Sequence, residues 1–220
     1  MDDNQANITE SSEDAFPVYY LDGKVLWVKG NILHREDGPA VILKNGTKKW
    51  MKNNKLHRED GPAVESSDGE KIWCQNGVLH SLDGPAHVTP DGSQYWYYEG
   101  KLHRDVGPAV IRADGSQVYY HHGKVHSLDG PALTTLNGQM EWFINDLWHR
   151  EGDEPAIIYS TGAKEWYKNG LLHRDGELPA KISAEGSKEW YKNGAIHRDN
   201  GPAIELKSGL MIWYKNGFKH

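Results

Sequence analysis

Cysteine is nearly absent from the sequence, since Cys74 is the only one in 220 residues. A single cysteine allows no disulfide bond within the chain and cannot supply the thiolates of a Cys-based zinc site. Long apolar runs are also missing, and none approaches the roughly 18 residues that a membrane-spanning helix needs. Residues 1–17 have neither the basic start nor the apolar segment of a signal peptide. We therefore expect no membrane span and a cytoplasmic location.

An excess of positive charge is missing too. The net charge is −6. Residues 1–16 hold five acidic and no basic residues, which leaves −1 for residues 17–220. A nearly neutral body lacks the basic surface of a general nucleic-acid binder, so we expect no nucleic-acid partner. The polar, acidic segment 1–16 is predicted to be a disordered tail.

The sequence also lacks a helical period and any substantial segment free of glycine and proline. What it has instead is the segment 190–203, which returns in steps of 23 or 24 residues. A fixed period of this length indicates a stacked repeat array. Residues 17–220 hold eight full copies and a partial ninth. The copies begin at Trp27, Trp50, Trp73, Trp96, Tyr119, Trp142, Trp166, Trp190 and Trp213.

Each copy carries two turn signals. Asn193-Gly194 and its equivalents favour a two-residue type I′ turn, and an Asp-Gly or Asn-Gly pair precedes the first aromatic residue in most copies. If the turn closes a hairpin, Tyr191 faces Ile196 and Trp190 faces His197. We therefore predict two short strands per copy. The predicted fold is an all-β, elongated repeat array, a solenoid or meander of antiparallel β-hairpins with about 23 residues per repeat.

An Asp-Gly-Pro-Ala corner follows the hairpin in four copies, at residues 37–40, 60–63, 83–86 and 129–132. Glycine and proline together favour a bend, and alanine leaves room for close approach. Two copies insert one residue here, which places Glu154 and Leu178 before the proline. Tolerance of an insertion predicts a loop. Cys74 stands where other copies have tyrosine, which predicts a buried packing residue.

The repeated pattern resembles MORN repeats. It is closer still to the MORN-like Trp-Tyr-Lys-Asn-Gly-x-Leu-His-Arg-x-Asp-Gly-Pro-Ala arrays of large bacteriophages and giant DNA viruses, which residues 166–174 and 190–198 match almost letter for letter. The resemblance implies an all-β hairpin array that acts in binding. It implies no catalytic residues and no cofactor, because MORN enzymes carry a separate catalytic domain. The corner departs from the Gly-x-Gly of MORN units, so their lipid binding is not carried over.

Histidine recurs at the position opposite the first aromatic residue of each copy. Successive histidines of this kind would lie two strands apart, about 9 to 10 Å, which is too far to share one zinc ion. We expect them to stack on the tryptophan and to bond a corner carbonyl or aspartate, and we predict no metal site. His122 is interpreted as a substitute for asparagine in the turn.

An arginine follows the histidine in most copies. Arg35, Arg58 and Arg104 could form a ladder that binds an anion, although neighbouring acidic residues favour local ion pairs. This ladder is the basis of an alternative function, the binding of a nucleotide or a lipid headgroup.

The middle copies depart from the pattern. The second residue after the first aromatic is lysine in outer copies, but it is Gln75, Tyr98, His121 and Ile144 in four consecutive copies. Trp148 replaces the usual leucine, and serine replaces the arginine at positions 81 and 127. Exposed aromatic residues with few charges favour a protein interface. Variation at tolerant surface positions explains the same departures equally well.

These patterns predict a non-enzymatic protein-binding repeat protein, a phage or viral factor that binds and inhibits a host protein in the host cytoplasm. No nucleophile or acid/base pair stands outside the repeat pattern. Homo-oligomerisation through unpaired terminal strands is a further possibility that the array leaves open.

Overall fold

The computed structural model describes residues 14–220. Most of the acidic tail that we predict for residues 1–16 lies outside the described residues. The first strand begins at Phe16, next to the predicted start of the array at residue 17. The chain divides into two compact units between Lys101 and Leu102. They are called unit 1 and unit 2 below.

Every regular element of the described chain is a β-strand, which confirms the predicted all-β class. No helix in this part of the chain is long and apolar enough to cross a membrane. The strands of unit 1 are β1 Phe16–Tyr19, β2 Val25–Lys29, β3 Ile32–Leu33, β4 Val41–Ile42, β5 Lys48–Lys49, β6 Met51–Lys52, β7 Lys55–Leu56, β8 Val64–Glu65, β9 Lys71–Ile72, β10 Cys74–Gln75, β11 Val78–Leu79, β12 His87–Val88, β13 Gln94–Tyr95 and β14 Tyr97–Tyr98.

Unit 2 repeats the same short elements. Strand β15, Lys101–Leu102, lies at the division between the units. The strands that follow it are β16 Val110–Ile111, β17 Gln117–Val118, β18 Tyr120–His121, β19 Lys124–Val125, β20 Leu133–Thr134, β21 Met140–Glu141, β22 Phe143–Ile144, β23 Leu147–Trp148, β24 Ile157–Ile158, β25 Lys164–Glu165, β26 Tyr167–Lys168, β27 Leu171–Leu172, β28 Lys181–Ile182, β29 Lys188–Glu189, β30 Tyr191–Lys192, β31 Ala195–Ile196, β32 Ile204–Glu205, β33 Met211–Ile212, β34 Tyr214–Lys215 and β35 Phe218–Lys219.

A copy contains four short strands, so the prediction of two per copy is wrong. The predicted strand 187–192 is interrupted at Trp190, which separates β29 from β30. The Trp190 N–H donates to the carbonyl of Ala203 (2.9 Å), whereas its carbonyl accepts from the N–H of His197 (2.9 Å). One residue thus bonds in two directions. The strand before it joins one sheet and the strand after it joins a separate hairpin.

The larger sheet of each unit is an antiparallel meander. In unit 1 the pairing runs through β1, β2, β4, β5, β8, β9, β12 and β13. In unit 2 it runs through β16, β17, β20, β21, β24, β25, β28, β29, β32 and β33. The strands pair in chain order, which confirms the predicted meander of hairpins.

The second hairpin of each copy has the predicted register. Tyr191 pairs with Ile196, and Lys192 pairs with Ala195. Asn193 and Gly194 both have positive φ angles, 50° and 82°, as a type I′ turn requires. The asparagine-glycine signal therefore predicts this hairpin correctly.

The corner alanine lies at the centre of each copy. Eight corner alanines are completely buried, and they are Ala40, Ala63, Ala86, Ala109, Ala132, Ala156, Ala180 and Ala203. The inserted residues Glu154 and Leu178 are exposed while the alanines beside them stay buried, which confirms that the corner is a loop. Cys74 is buried as predicted, and burial raises the pKa of its thiol.

Candidate functional site

The repeated histidine connects neighbouring copies. His57 illustrates this role, because its Nδ1 accepts the backbone N–H of Asn76 in the next copy (3.1 Å). Its Nε2 lies 3.5 Å from the carboxylate of Glu59, and its side chain is mostly buried. The same backbone contact to Nδ1 is made by His34, His103, His126, His149, His173 and His197. These contacts agree with a structural role.

The repeated arginine lies flat on the tryptophan. In the corner after Trp50, the guanidinium carbon of Arg58 is 4.0 Å from the centre of the indole ring. Arg58 Nε donates to Asp60 (2.9 Å), and Nη1 donates to the carbonyl of Pro62 (3.2 Å) and to Glu65 (2.9 Å). We call this arrangement a filled corner. The same cation–π contact, at 3.8 to 4.0 Å, joins Arg35 to Trp27, Arg150 to Trp142, Arg174 to Trp166 and Arg198 to Trp190.

The alternative anion ladder consists of arginines that already have partners. Arg35 donates to Asp37 (2.8 Å), and its hydrogen bond lowers the pKa of that carboxyl group. Arg58 lowers the pKa of Asp60 in the same way. Arg104 donates to the carbonyl of Pro108 (3.1 Å). An anion would have to compete with these contacts for each guanidinium group.

One corner of unit 1 is built differently. After Trp73, Ser81 and Leu82 replace the arginine and the acidic residue that follows it. Leu82 is 78% exposed. Within residues 14–101, no cation lies over Trp73 and no ion pair forms at Asp83. A groove remains here, and it is lined by Trp73, Gln75, His80, Ser81, Leu82 and Asp83 together with residues of the preceding corner. We call it the Trp73 groove.

One corner of unit 2 has the same construction. After Tyr119, Ser127 and Leu128 replace the arginine and the acidic residue, and Leu128 is 79% exposed. Tyr119, His121, His126, Ser127 and Leu128 line a groove with residues of the preceding corner. We call it the Tyr119 groove.

The predicted partner surface has two residues in unit 1. Gln75 is exposed and lines the Trp73 groove. Tyr98 is 40% exposed, and its ring centre lies 5.3 Å from that of His80, which lines the same groove. The two residues therefore lie on the same side of unit 1, around His80.

The remaining predicted residues belong to unit 2. His121 is exposed and lines the Tyr119 groove. Ile144 is half-buried in β22. Trp148 is also half-buried, because it packs between Phe143 and Tyr167 and donates its indole N–H to Glu141 (2.8 Å). These contacts give Trp148 a structural role in addition to any role at an interface.

Three histidines of unit 2 form a cluster that the spacing of the repeats does not predict. His103, His121 and His122 each place one ring nitrogen within 4.8 Å of the others. The rings of His103 and His122 are stacked at 4.2 Å, and His103 Nε2 lies 3.1 Å from Asp105. This proximity makes the cluster a candidate metal site. The cluster arises because His121, the last residue of β18, is followed directly by the turn residue His122, and neither of them belongs to the ladder of repeated histidines.

Leu82 and Leu128 are the residues that sequence reasoning missed. The signal was present, because an acidic residue stands at the equivalent position of the filled corners, as in Glu59. A polar residue and a leucine in place of an arginine and an acid change the corner from charged to apolar.

No protein-family model matches this sequence, and no curated protein matches it.

Proposed function

We propose that the chain is a non-enzymatic repeat protein that binds a partner protein through the Trp73 and Tyr119 grooves and the exposed residues around them. The observation that carries this proposal is that the departures within the copies of Trp73 and Tyr119 coincide in space. In unit 1, Gln75, Ser81 and Leu82 all line the Trp73 groove. In unit 2, the equivalent His121, Ser127 and Leu128 all line the Tyr119 groove.

The substitutions at each groove all change the surface in the same way. They remove charge and expose apolar or aromatic surface, since a lysine, an arginine and an acid are replaced at once. Interfaces between proteins are depleted of lysine and acidic residues at their centre and enriched in aromatic residues. Unrelated substitutions of surface residues are not expected to occur together at the same two corners.

The proposed partner is a host protein, and the proposed role is its inhibition. This part of the proposal rests on the resemblance of the repeats to arrays of large bacteriophages and giant DNA viruses. The alternative, an anion ligand on Arg35, Arg58 and Arg104, is less well supported because the guanidinium groups of these residues are engaged in their own corners.

The test is affinity capture with the tagged full chain. Proteins retained by the native chain are compared with those retained by a variant carrying Tyr98→Lys, His121→Lys and Ile144→Lys. Lysine is the residue that Lys52, Lys168, Lys192 and Lys215 supply at this position, so the variant is expected to fold. We expect one protein to bind the native chain and to be lost from the variant.

The matched control adds three lysines at exposed turn positions away from the grooves, Leu136→Lys, Ser160→Lys and Ser208→Lys. It should retain the partner. Equal loss from both variants would show a general effect of charge, and no specific protein on the native chain would contradict the proposal.

A further inference from the structure

The filled corner shows what the repeat scaffold binds at this place. The guanidinium of Arg58 contacts Glu65 on β8 and three groups of the corner itself: the face of Trp50, the carboxylate of Asp60 and the carbonyl of Pro62. A flat cation over an indole, with a carboxylate and a carbonyl at its edge, is a favourable site for guanidinium in particular.

The corner after Trp73 keeps all three groups but has no guanidinium. Asp83 and Pro85 follow Trp73 at the same spacing as Asp60 and Pro62 follow Trp50. Among the residues of unit 1 that the structure describes, none forms an ion pair with Asp83 or donates to the carbonyl of Pro85.

The surroundings of the corner glycine show whether the space beside the tryptophan is occupied. A Cβ atom added at Gly61 would lie 2.9 Å from the guanidinium carbon of Arg58, and one added at Gly38 would meet Arg35 at the same distance. A Cβ atom added at Gly84 or Gly130 would meet nothing within 4 Å. The volume that the arginine occupies in the filled corners is therefore open at Trp73 and Tyr119.

We propose that the Trp73 groove, and by the same construction the Tyr119 groove, accepts the guanidinium group of an arginine side chain from the partner protein. The incoming arginine would replace the one that the repeat lacks. This inference rests on the proposed function, because it specifies the chemistry of the partner.

The charges around the Trp73 groove suit a cation. Three carboxylates line it, Glu59, Asp60 and Asp83. Its one arginine, Arg58, is already paired with Asp60 and Glu65. The exposed Leu82 adds apolar surface for the aliphatic part of an incoming side chain. Lysine fits less well, because its compact ammonium group cannot lie flat on the indole and bond two acceptors in one plane.

The test uses NMR on the 15N-labelled full chain, titrated with the peptide acetyl-Leu-Arg-Leu-amide. We expect saturable shifts of the Trp73 indole N–H and the Gly84 amide, with a dissociation constant on the order of 1 mM for a single side chain. The Trp50 indole should not move, because Arg58 covers it. The same peptide with citrulline in place of arginine keeps the shape without the charge and should bind at least tenfold more weakly.

Two variants close the groove without disturbing the backbone. Ser81→Arg supplies the missing guanidinium from within the chain, and Gly84→Ala places a methyl group where it would lie. Both should remain folded, with an unfolding temperature at or above that of the native chain, and both should abolish the peptide-induced shifts. Shifts that persist in both variants, or equal binding of the citrulline peptide, would overturn the inference.

The affinity capture then separates the inference from the proposed function. A variant with Ser81→Arg and Ser127→Arg should lose the captured protein at least tenfold. If this variant still captures the protein while the variant with Tyr98→Lys, His121→Lys and Ile144→Lys does not, the interface is correct and the arginine site is wrong. If the peptide binds but the native chain captures no protein, the site is correct and the proposed function is wrong.

Discussion

The corners that follow Trp50 and Trp73 are adjacent copies of one unit with different contents. The first contains Arg58 and Glu59, and the second contains Ser81 and Leu82. The backbone is equivalent in both, since the backbone N–H of each tryptophan donates to the carbonyl of the corner alanine, at 2.8 Å for Trp50 and 2.7 Å for Trp73. The difference shows that the scaffold forms without the arginine. The fold therefore does not require particular side chains at this part of the corner, and they can serve in binding.

The largest expected effect concerns what the two corners share. Ala63→Leu and Ala86→Leu each force a large side chain into a completely buried position. We expect each to lower the free energy of unfolding by about 3 kcal/mol, because overpacking displaces the neighbouring backbone. Chemical denaturation measures the change. An effect confined to one corner would show that their cores differ.

The arginine itself should matter less. Arg58→Ala removes the contact with the Trp50 ring and three hydrogen bonds, and we expect a loss of about 1 to 2 kcal/mol in the free energy of unfolding. The matched change in the open corner, Ser81→Ala, should alter stability by less than about 0.5 kcal/mol. Equal losses in a denaturation experiment would remove the distinction between the corners.

The corner glycines sharpen the comparison further. Gly61→Ala should push Arg58 away from Trp50 and cost about 1 kcal/mol of unfolding free energy. Gly84→Ala meets an open space and should be neutral or stabilise by up to about 0.5 kcal/mol, since alanine restricts the unfolded chain. The unfolding temperatures of the two variants, measured in parallel, test this difference. Destabilisation by Gly84→Ala would mean that its corner is occupied.

The smallest effect is electrostatic. The hydrogen bond from Arg58 holds the pKa of Asp60 below its ordinary value. Because the folded-state pKa is lowered, the pair contributes stability above the unfolded pKa, and this contribution is lost as the pH falls through the folded value. Arg58→Ala should raise the pKa of Asp60 to its ordinary range, which carboxyl 13C NMR can follow. An unchanged titration would assign the shift to another group.

The sequence predicts the parts of the fold that local rules govern. The period, the type I′ turn at Asn193-Gly194 and the pairing of Tyr191 with Ile196 follow from turn chemistry and counting. The interruption at Trp190 does not, because no local rule predicts that its N–H bonds Ala203 while its carbonyl bonds His197.

The candidate site is predictable only in part. Substitutions such as Gln75 and Ser81 are visible in the sequence. The distance of 4.0 Å between Arg58 and Trp50 depends on the path of the corner between them. The proximity of His103 to His121 depends on how one copy packs on the next, which residue spacing along the chain does not give.

The joint between hairpins uses few surface side chains. The N–H of Gly77 donates to the carbonyl of Leu56 (2.8 Å), and the N–H of Asn76 donates to His57 Nδ1 (3.1 Å). Apart from the imidazole, these are main-chain atoms that any copy supplies. Recombination at equivalent positions can therefore add or remove one whole copy and re-form the same joint. The number of copies and the residues on their surfaces can then change independently of each other.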